Sequence, residues 1–160
     1  MKAIIVTGSV ATGKTTLAKR LAKKIKAQYI DVNKLIPKYK LQIGYDKKLK
    51  SKIIDIKRLK KVLTDIVKKS KENLVIDSHL SHYLPSKYID LCIITKCNLK
   101  TLKKRLQKKG YSKEKIRINL DAEIFDVCLT EALENKHNII VINTDKKYNL
   151  KKVAEMLKSG

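Results

Sequence analysis

Two glycines with four residues between them, followed at once by lysine and threonine, stand near the amino terminus in the stretch TGSVATGKTT, Thr7 to Thr16. Gly8 and Gly13 allow backbone torsions that turn successive N–H groups toward a common centre, a nest for a phosphate. A helix beginning at Lys14 adds its positive end and its unpaired N–H groups. The Lys14 ammonium reaches the outer oxygens of a bound triphosphate, the Thr15 hydroxyl is placed to ligate Mg²⁺, and Thr16 adds a hydroxyl for the α-phosphate. Ala11 departs from the usual pattern. It stands where glycine is easier, at a strain of about 1 kcal/mol if its φ is positive.

A triphosphate loop needs an acid at a neighbouring strand end. Asp77 closes the apolar run Leu74-Val75-Ile76 and fits the task of holding a Mg²⁺-bound water; a plain helix cap is the alternative. His79 follows two residues on, either to orient an attacking water or stabilise developing charge, or as a surface histidine.

The elements that must position these groups are legible as periodicities. Lys2–Val6, Gln28–Val32, Asn73–Asp77, Tyr88–Thr95 and Asn138–Thr144 read as short buried strands rich in Ile and Val. Helical stripes run over Lys14–Lys26, Asp55–Ser70, Leu99–Lys109, Lys113–Asn135 and Leu150–Leu157. Asn33–Ser51, basic and carrying Pro37 and Gly44, reads as a helix-and-loop excursion. Strands alternating with helices predict an α/β fold with a five-stranded parallel sheet flanked by helices, whose ligand sits at the carboxyl ends of the strands.

At 160 residues with 43% hydrophobic content, the chain is expected to form one domain, residues 1–160, and not a disordered segment. No apolar run approaches a bilayer span and the amino terminus lacks a leader pattern, so a cytoplasmic protein with no membrane partner is expected. Cys92, Cys97 and Cys128 fit no zinc or redox spacing and read as reduced, mostly buried thiols. The formal charge is +23, with thirteen basic and three acidic residues between Lys38 and Lys71. Such an excess fits either a lysine-rich surface bias or a surface that attracts polyanions such as RNA.

Four stretches narrow the reading: VIDSH (Val75–His79), KGY (Lys109–Tyr111), NLDAEIFDVCLTEA (Asn119–Ala132) and Tyr45-Asp46. Together they resemble the adenylate kinase isoenzyme 6 family, including its archaeal members, over nearly the whole chain and in the same order. The resemblance implies a P-loop nucleoside monophosphate kinase-like fold, with an NMP-binding excursion at 31–54 and a short lid at 109–119. It implies ATP and Mg²⁺ as cofactors, phosphoryl transfer from ATP to AMP or other monophosphates, and ATP hydrolysis. It also implies a part in late maturation of the small ribosomal subunit, through transient binding of a platform ribosomal protein on the pre-ribosomal particle, near rRNA.

Carried over residue by residue, the family pattern places Gly8, Ala11, Gly13, Lys14, Thr15 and Thr16 on ATP, with Thr15 and Asp77 toward the metal. Lys14, Asp77 and His79 take the catalytic roles, Arg105 and Lys109 cover the nucleotide, and Lys38 and Arg58 hold the acceptor. Lys109 stands for an arginine in many relatives and lacks its planar fork. IPKYK replaces a segment in which relatives carry an arginine for the monophosphate. That weakens the expected AMP site and leaves the ATP site untouched, so hydrolysis is expected to be more secure than kinase turnover. The alternative is a nucleotide-gated ribosomal-protein chaperone or RNA-associated switch with little kinase turnover.

Overall fold

The structure, a computed structural model, describes residues 1–158. Seven strands and seven helices follow one another as β1 (Ala3–Gly8), α1 (Lys14–Ile25), β2 (Gln28–Asp31), α2 (Val32–Lys38), β3 (Gln42–Asp46), β4 (Ser51–Ile54), α3 (Ile56–Lys69), β5 (Leu74–Asp77), β6 (Leu91–Lys96), α4 (Leu99–Lys108), α5 (Lys113–Ile124), α6 (Val127–Glu134), β7 (Ile139–Asn143) and α7 (Leu150–Met156). Five strands form an all-parallel sheet in the order β2-β5-β1-β6-β7. The chain winds to one side of β1 and then to the other, so the crevice at β1's carboxyl end is where parallel sheets bind ligands.

Alternation along the strands divides the core. Ile4, Val6, Val75 and Ile93 face α1 and α7 through Leu17, Leu21, Leu150 and Val153. Ile5, Ile76 and Ile94 face the other way, onto Leu59 and Leu63 of α3 and Ala132 of α6. A third cluster joins Leu102 and Leu106 of α4 and Ile116 of α5 to Val10 and Ala11. Because that cluster reaches the glycine loop, α4 and α5 are packed directly onto the candidate site.

Short polar side chains set where helices begin, each accepting a backbone N–H that the helix leaves unpaired. Asp31 caps α2 through Asn33 N, Asp55 caps α3 through Arg58 N, Asn98 caps α4 through Thr101 N, and Ser112 caps α5 through Lys115 N.

The structure corrects three sequence-based expectations. In the helix-and-loop excursion expected over 33–51 the helix is α2, but the loop is an antiparallel hairpin, β3–β4, with Tyr45 opposite Lys52 and Asp46 opposite Ser51. The strand expected from Tyr88 begins at Leu91, because Ser86–Tyr88 forms a 3-10 turn. Asp90, just before the strand, accepts the Ala3 N–H and pairs with Lys2, tying the starts of β6 and β1 together. The single long helix expected over Lys113–Asn135 is two, α5 and α6, broken at Asp126 in the left-handed region (φ 50°). The break coincides with a tertiary contact. Lys96, at the end of β6, is held by Glu123 and Asp126 together, and aspartate tolerates that backbone better than most residues.

Gly8 has φ +143°, and a Cβ there would lie 2.4 Å from Thr95 Oγ1 and 2.5 Å from the Thr95 carbonyl. Gly8→Ala is therefore expected to lower the unfolding free energy by about 1–3 kcal/mol, read as a shifted midpoint in urea denaturation.

Candidate active site

The loop between β1 and α1 is shaped by contacts to its carbonyls and hydroxyls. The Ser9 carbonyl accepts from Thr12 N (3.3 Å), Thr12 Oγ1 (2.7 Å) and Lys14 Nζ (2.8 Å). Thr12 Oγ1 also lies 2.7 Å from Thr95 Oγ1 on β6. The Thr12 carbonyl accepts from Thr144 Oγ1, just beyond β7, and the Ala11 carbonyl accepts from Arg105 on α4. Ala11 has φ +65°, the positive value at which its strain was expected, and Gly13 has φ +90°. The loop is thus clamped by β6, the β7 end and α4.

Parallel pairing sets Val6 beside Asp77 and Gly8 beside Thr95, so the acid at the end of β5 faces the start of α1. Asp77 is 5% exposed. Its Oδ2 accepts from the Thr15 hydroxyl at 2.7 Å and from the Tyr29 phenol at 2.8 Å. Thr15 and Asp77 offer only hard oxygen donors, which suits Mg²⁺. No cluster of three or more His, Cys, Asp or Glu able to cage a metal occurs among the described residues.

Two histidines differ in setting. His79 is exposed at the cleft, where the surrounding protein and then the charges of Lys14 and His82 push its pKa down to about 4, so the ring is neutral at pH 7. His82 is buried. Its Nδ1 lies 2.9 Å from Thr7 Oγ1 and its Nε2 2.7 Å from Glu131 Oε2, and Tyr83 donates to the other Glu131 oxygen. Burial pushes the His82 pKa down against the pull of Glu131. This chain, buried at His82 and half-buried at Glu131, links β1, one residue before Gly8, to α6.

Two cavities flank the loop. One, of about 370 Å³, is lined by Ala11, Gly13, Thr16, Arg105, Lys109 and Tyr148, among others. The second, of about 460 Å³, lies on the other side against Val10 and His79, between the β3–β4 hairpin and α5. Its cations are Lys50, Lys52 and Lys115, and its polar neutral groups include Asn33 and Asn119. The sequence-based reading named Lys38 and Arg58 for an acceptor, yet neither lines either cavity. Lys38 is exposed on α2, its ammonium 5.6 Å from the centre of the Tyr39 ring. Arg58 donates to the Tyr39 and Lys40 carbonyls, bracing the turn between α2 and β3. Sequence reasoning missed Tyr29 and the three cavity lysines. The alternation of Lys50, Lys52 and Ile54 was the available signal for the lysines; Tyr29 gave none.

Comparison with known proteins agrees with this geometry. The family model described as "AAA domain" matches residues 4–126. A Methanocaldococcus jannaschii protein named "Putative adenylate kinase" is 36% identical over 97% of this chain and 85% of its own. The adenylate kinase isoenzyme 6 homolog of Caenorhabditis elegans is 33% identical over 86% and 76%. The chain belongs to the adenylate kinase isoenzyme 6 family. Among solved structures, shikimate kinase from Acinetobacter baumannii in complex with shikimate superposes with a TM-score of 0.65 at 13% identity, covering 99% of this chain and 92% of that one. Shikimate kinase from Bacteroides thetaiotaomicron gives 0.58 at 18% identity, covering 99% and 97%. These likenesses identify the fold as that of P-loop kinases. No helix among the described residues is long and apolar enough to cross a membrane.

Burial depresses the Lys14 pKa from 10.5 to about 8, with Asp77 opposing the shift. The unfolded chain therefore holds more protons between those values, and this residue's contribution to stability rises as pH climbs from about 8 to about 10.5. A bound phosphate holds Lys14 protonated. Nucleotide binding just above pH 8 is expected to take up protons, read as a calorimetric enthalpy that varies with the ionisation heat of the buffer, with the uptake shrinking toward neutral pH.

Proposed function

We propose that the chain is a nucleoside monophosphate kinase of the adenylate kinase type, transferring the γ-phosphoryl group of ATP to AMP or a similar monophosphate. The observation that carries this reading is the pair of cavities meeting at one phosphate loop, a nucleotide-sized space on each side of the same glycine-bounded turn. The first would receive the ATP base and ribose between Arg105, Lys109 and Tyr148, with its phosphates on Gly8–Thr16. The second would receive the acceptor. Residues 31–54 and 109–119 then act as acceptor-binding excursion and short lid within one domain.

Phosphoryl transfer through a loose transition state asks for positioning and charge stabilisation rather than a covalent intermediate. Lys14 is held to the Ser9 carbonyl and exchanges that partner for phosphate oxygens. Thr15 and Asp77 would hold Mg²⁺, which would supply positive charge to neutralise the charge that develops on the phosphates. Lys109 and Arg105 cover the bound nucleotide from α4 and its end. The acceptor phosphate is met by Lys115, with Lys50 and Lys52 from the hairpin, so the loss of an arginine near Pro37 is offset by lysines further along. Lys115 is pre-placed: its ammonium donates to the Lys50 carbonyl at 3.2 Å and lies 4.0 Å from the centre of the Tyr111 ring. Arg58 supports the site indirectly, through the α2–β3 turn.

ATP hydrolysis uses the same apparatus with water as acceptor. His79, exposed in the acceptor cavity and neutral at pH 7, is suited to orient a water as a hydrogen-bonding imidazole and unsuited to act there as a cation. The family resemblance adds transient binding of a platform ribosomal protein beside rRNA in the cytoplasm, and the +23 charge supports a polyanionic setting. ATP-sensitive recovery of a ribosomal protein on immobilised chain tests that part.

A coupled assay of ADP formation, with and without each monophosphate, is the primary test; turnover stimulated by AMP is expected. Lys14→Ala should abolish transfer and hydrolysis alike. His79→Ala should lower hydrolysis at least about tenfold while affecting transfer less. Lys115→Ala should raise the acceptor KM about tenfold or more, with ATP affinity nearly unchanged, because one charge-assisted contact is lost.

A further inference from the structure

The Asp77 carboxylate receives two donors on a single oxygen. The Thr15 hydroxyl belongs to the glycine-loop pattern, whereas the Tyr29 phenol belongs to no motif, yet it reaches the same Oδ2 at 2.8 Å. Its placement follows from the sheet. β2 runs parallel to β5 with Tyr29 beside Val75 and Asp31 beside Asp77, so Tyr29 and Asp77 share the face that α1 covers. The Tyr29 ring packs against the Leu17–Leu21 cluster, and the Lys19 ammonium sits 5.6 Å from its centre. Sheet and helix thus hold the ring, and its hydroxyl is left aimed at the carboxylate.

We infer that Tyr29 is a positioning residue of the divalent-cation site, fixing the Asp77 carboxylate so that Oδ2 is occupied by two protein donors and Oδ1 is the oxygen left for the water shell of a nucleotide-bound cation. The inference rests on the reading of Thr15 and Asp77 as the metal-side residues in the proposed kinase. It goes further by giving the edge strand β2 a part in metal affinity. Without the phenol, Asp77 answers to Thr15 alone and loses one constraint on its rotation. Partners that orient metal-side groups in this manner characteristically act on metal affinity, not on the fold.

Tyr29→Phe keeps the ring against α1 and removes only the hydroxyl. The test is the affinity of the full chain for a fluorescent ADP analogue, titrated with MgCl₂ from none to saturation. Tyr29→Phe is expected to leave metal-free affinity within about twofold of the parent and to raise the Mg²⁺ concentration at the midpoint about tenfold. An unchanged midpoint overturns the inference, as does an equal loss of affinity with and without Mg²⁺, which marks a merely structural role. Asp77→Asn is run alongside. If it moves the midpoint and Tyr29→Phe does not, the role of Tyr29 falls while the kinase reading stands. If neither moves it, the metal-side assignment of Asp77 falls as well.

Discussion

A loop that binds phosphate through its own N–H groups has to be held in shape by something else. This requirement governs the architecture around residues 8–16. The groups that restrain the loop act on its carbonyls and hydroxyls: Thr95 on the Thr12 hydroxyl, Thr144 on the Thr12 carbonyl, Arg105 on the Ala11 carbonyl and Lys14 on the Ser9 carbonyl. They come from β6, from the turn after β7, from α4 and from the loop itself. The sheet order brings those elements to one end because β1 lies in the middle with β6 and β7 on one flank. The same requirement explains why α4 is packed onto the loop through Leu102 and Leu106. Arg105 shares a helix with those anchors, so the hydrophobic contact and the polar clamp are set by one rigid element.

The flank on the other side of β1 supplies the acid. β5 and β2 end together at Asp77 and Asp31, and Asp77 is fixed by donors from both α1 and β2. The two halves of the site are therefore built differently. The glycine loop is restrained by hydroxyl and cationic donors drawn mostly from distant sequence, whereas the Asp77 carboxylate is restrained by two hydroxyls on one oxygen. Behind both lies a polar chain from the buried Thr7 and His82 to the half-buried Glu131, which satisfies groups that burial would otherwise penalise. It ties α6 to the strand that feeds the loop.

Most of this order was legible in the residues. Five short Ile- and Val-rich runs alternating with amphipathic stripes are strong local signals, and each became a strand of the parallel sheet. The loop glycines, Lys14 and Thr15 were readable because a phosphate nest constrains residue type and spacing together. Asp77 was readable through its place at a strand end. What escaped were features set by tertiary neighbours. A hairpin of two short strands that leaves its apolar Ile43, Tyr45 and Ile53 exposed lacks the buried apolar face by which a sheet strand is read. The break at Asp126 coincides with a contact to Lys96, thirty residues earlier in the chain, and helical periodicity gives no hint of it. The lining of the second cavity escaped for a related reason. Arg58 was plausible by type, but its guanidinium is committed to two carbonyls of a turn whose shape only the folded chain reveals.

Ala11 carries a consequence beyond its strained torsion. A glycine at that point would leave the denatured chain a wide range of backbone states, all of which must be surrendered on folding. The methyl group removes many of them in advance, so part of the enthalpic penalty of a left-handed alanine is returned as a smaller loss of disorder. Entropic terms grow with temperature while torsional strain does not. The exchange therefore favours the alanine loop progressively as the chain is warmed, and makes it the stiffer of the two solutions to the same turn.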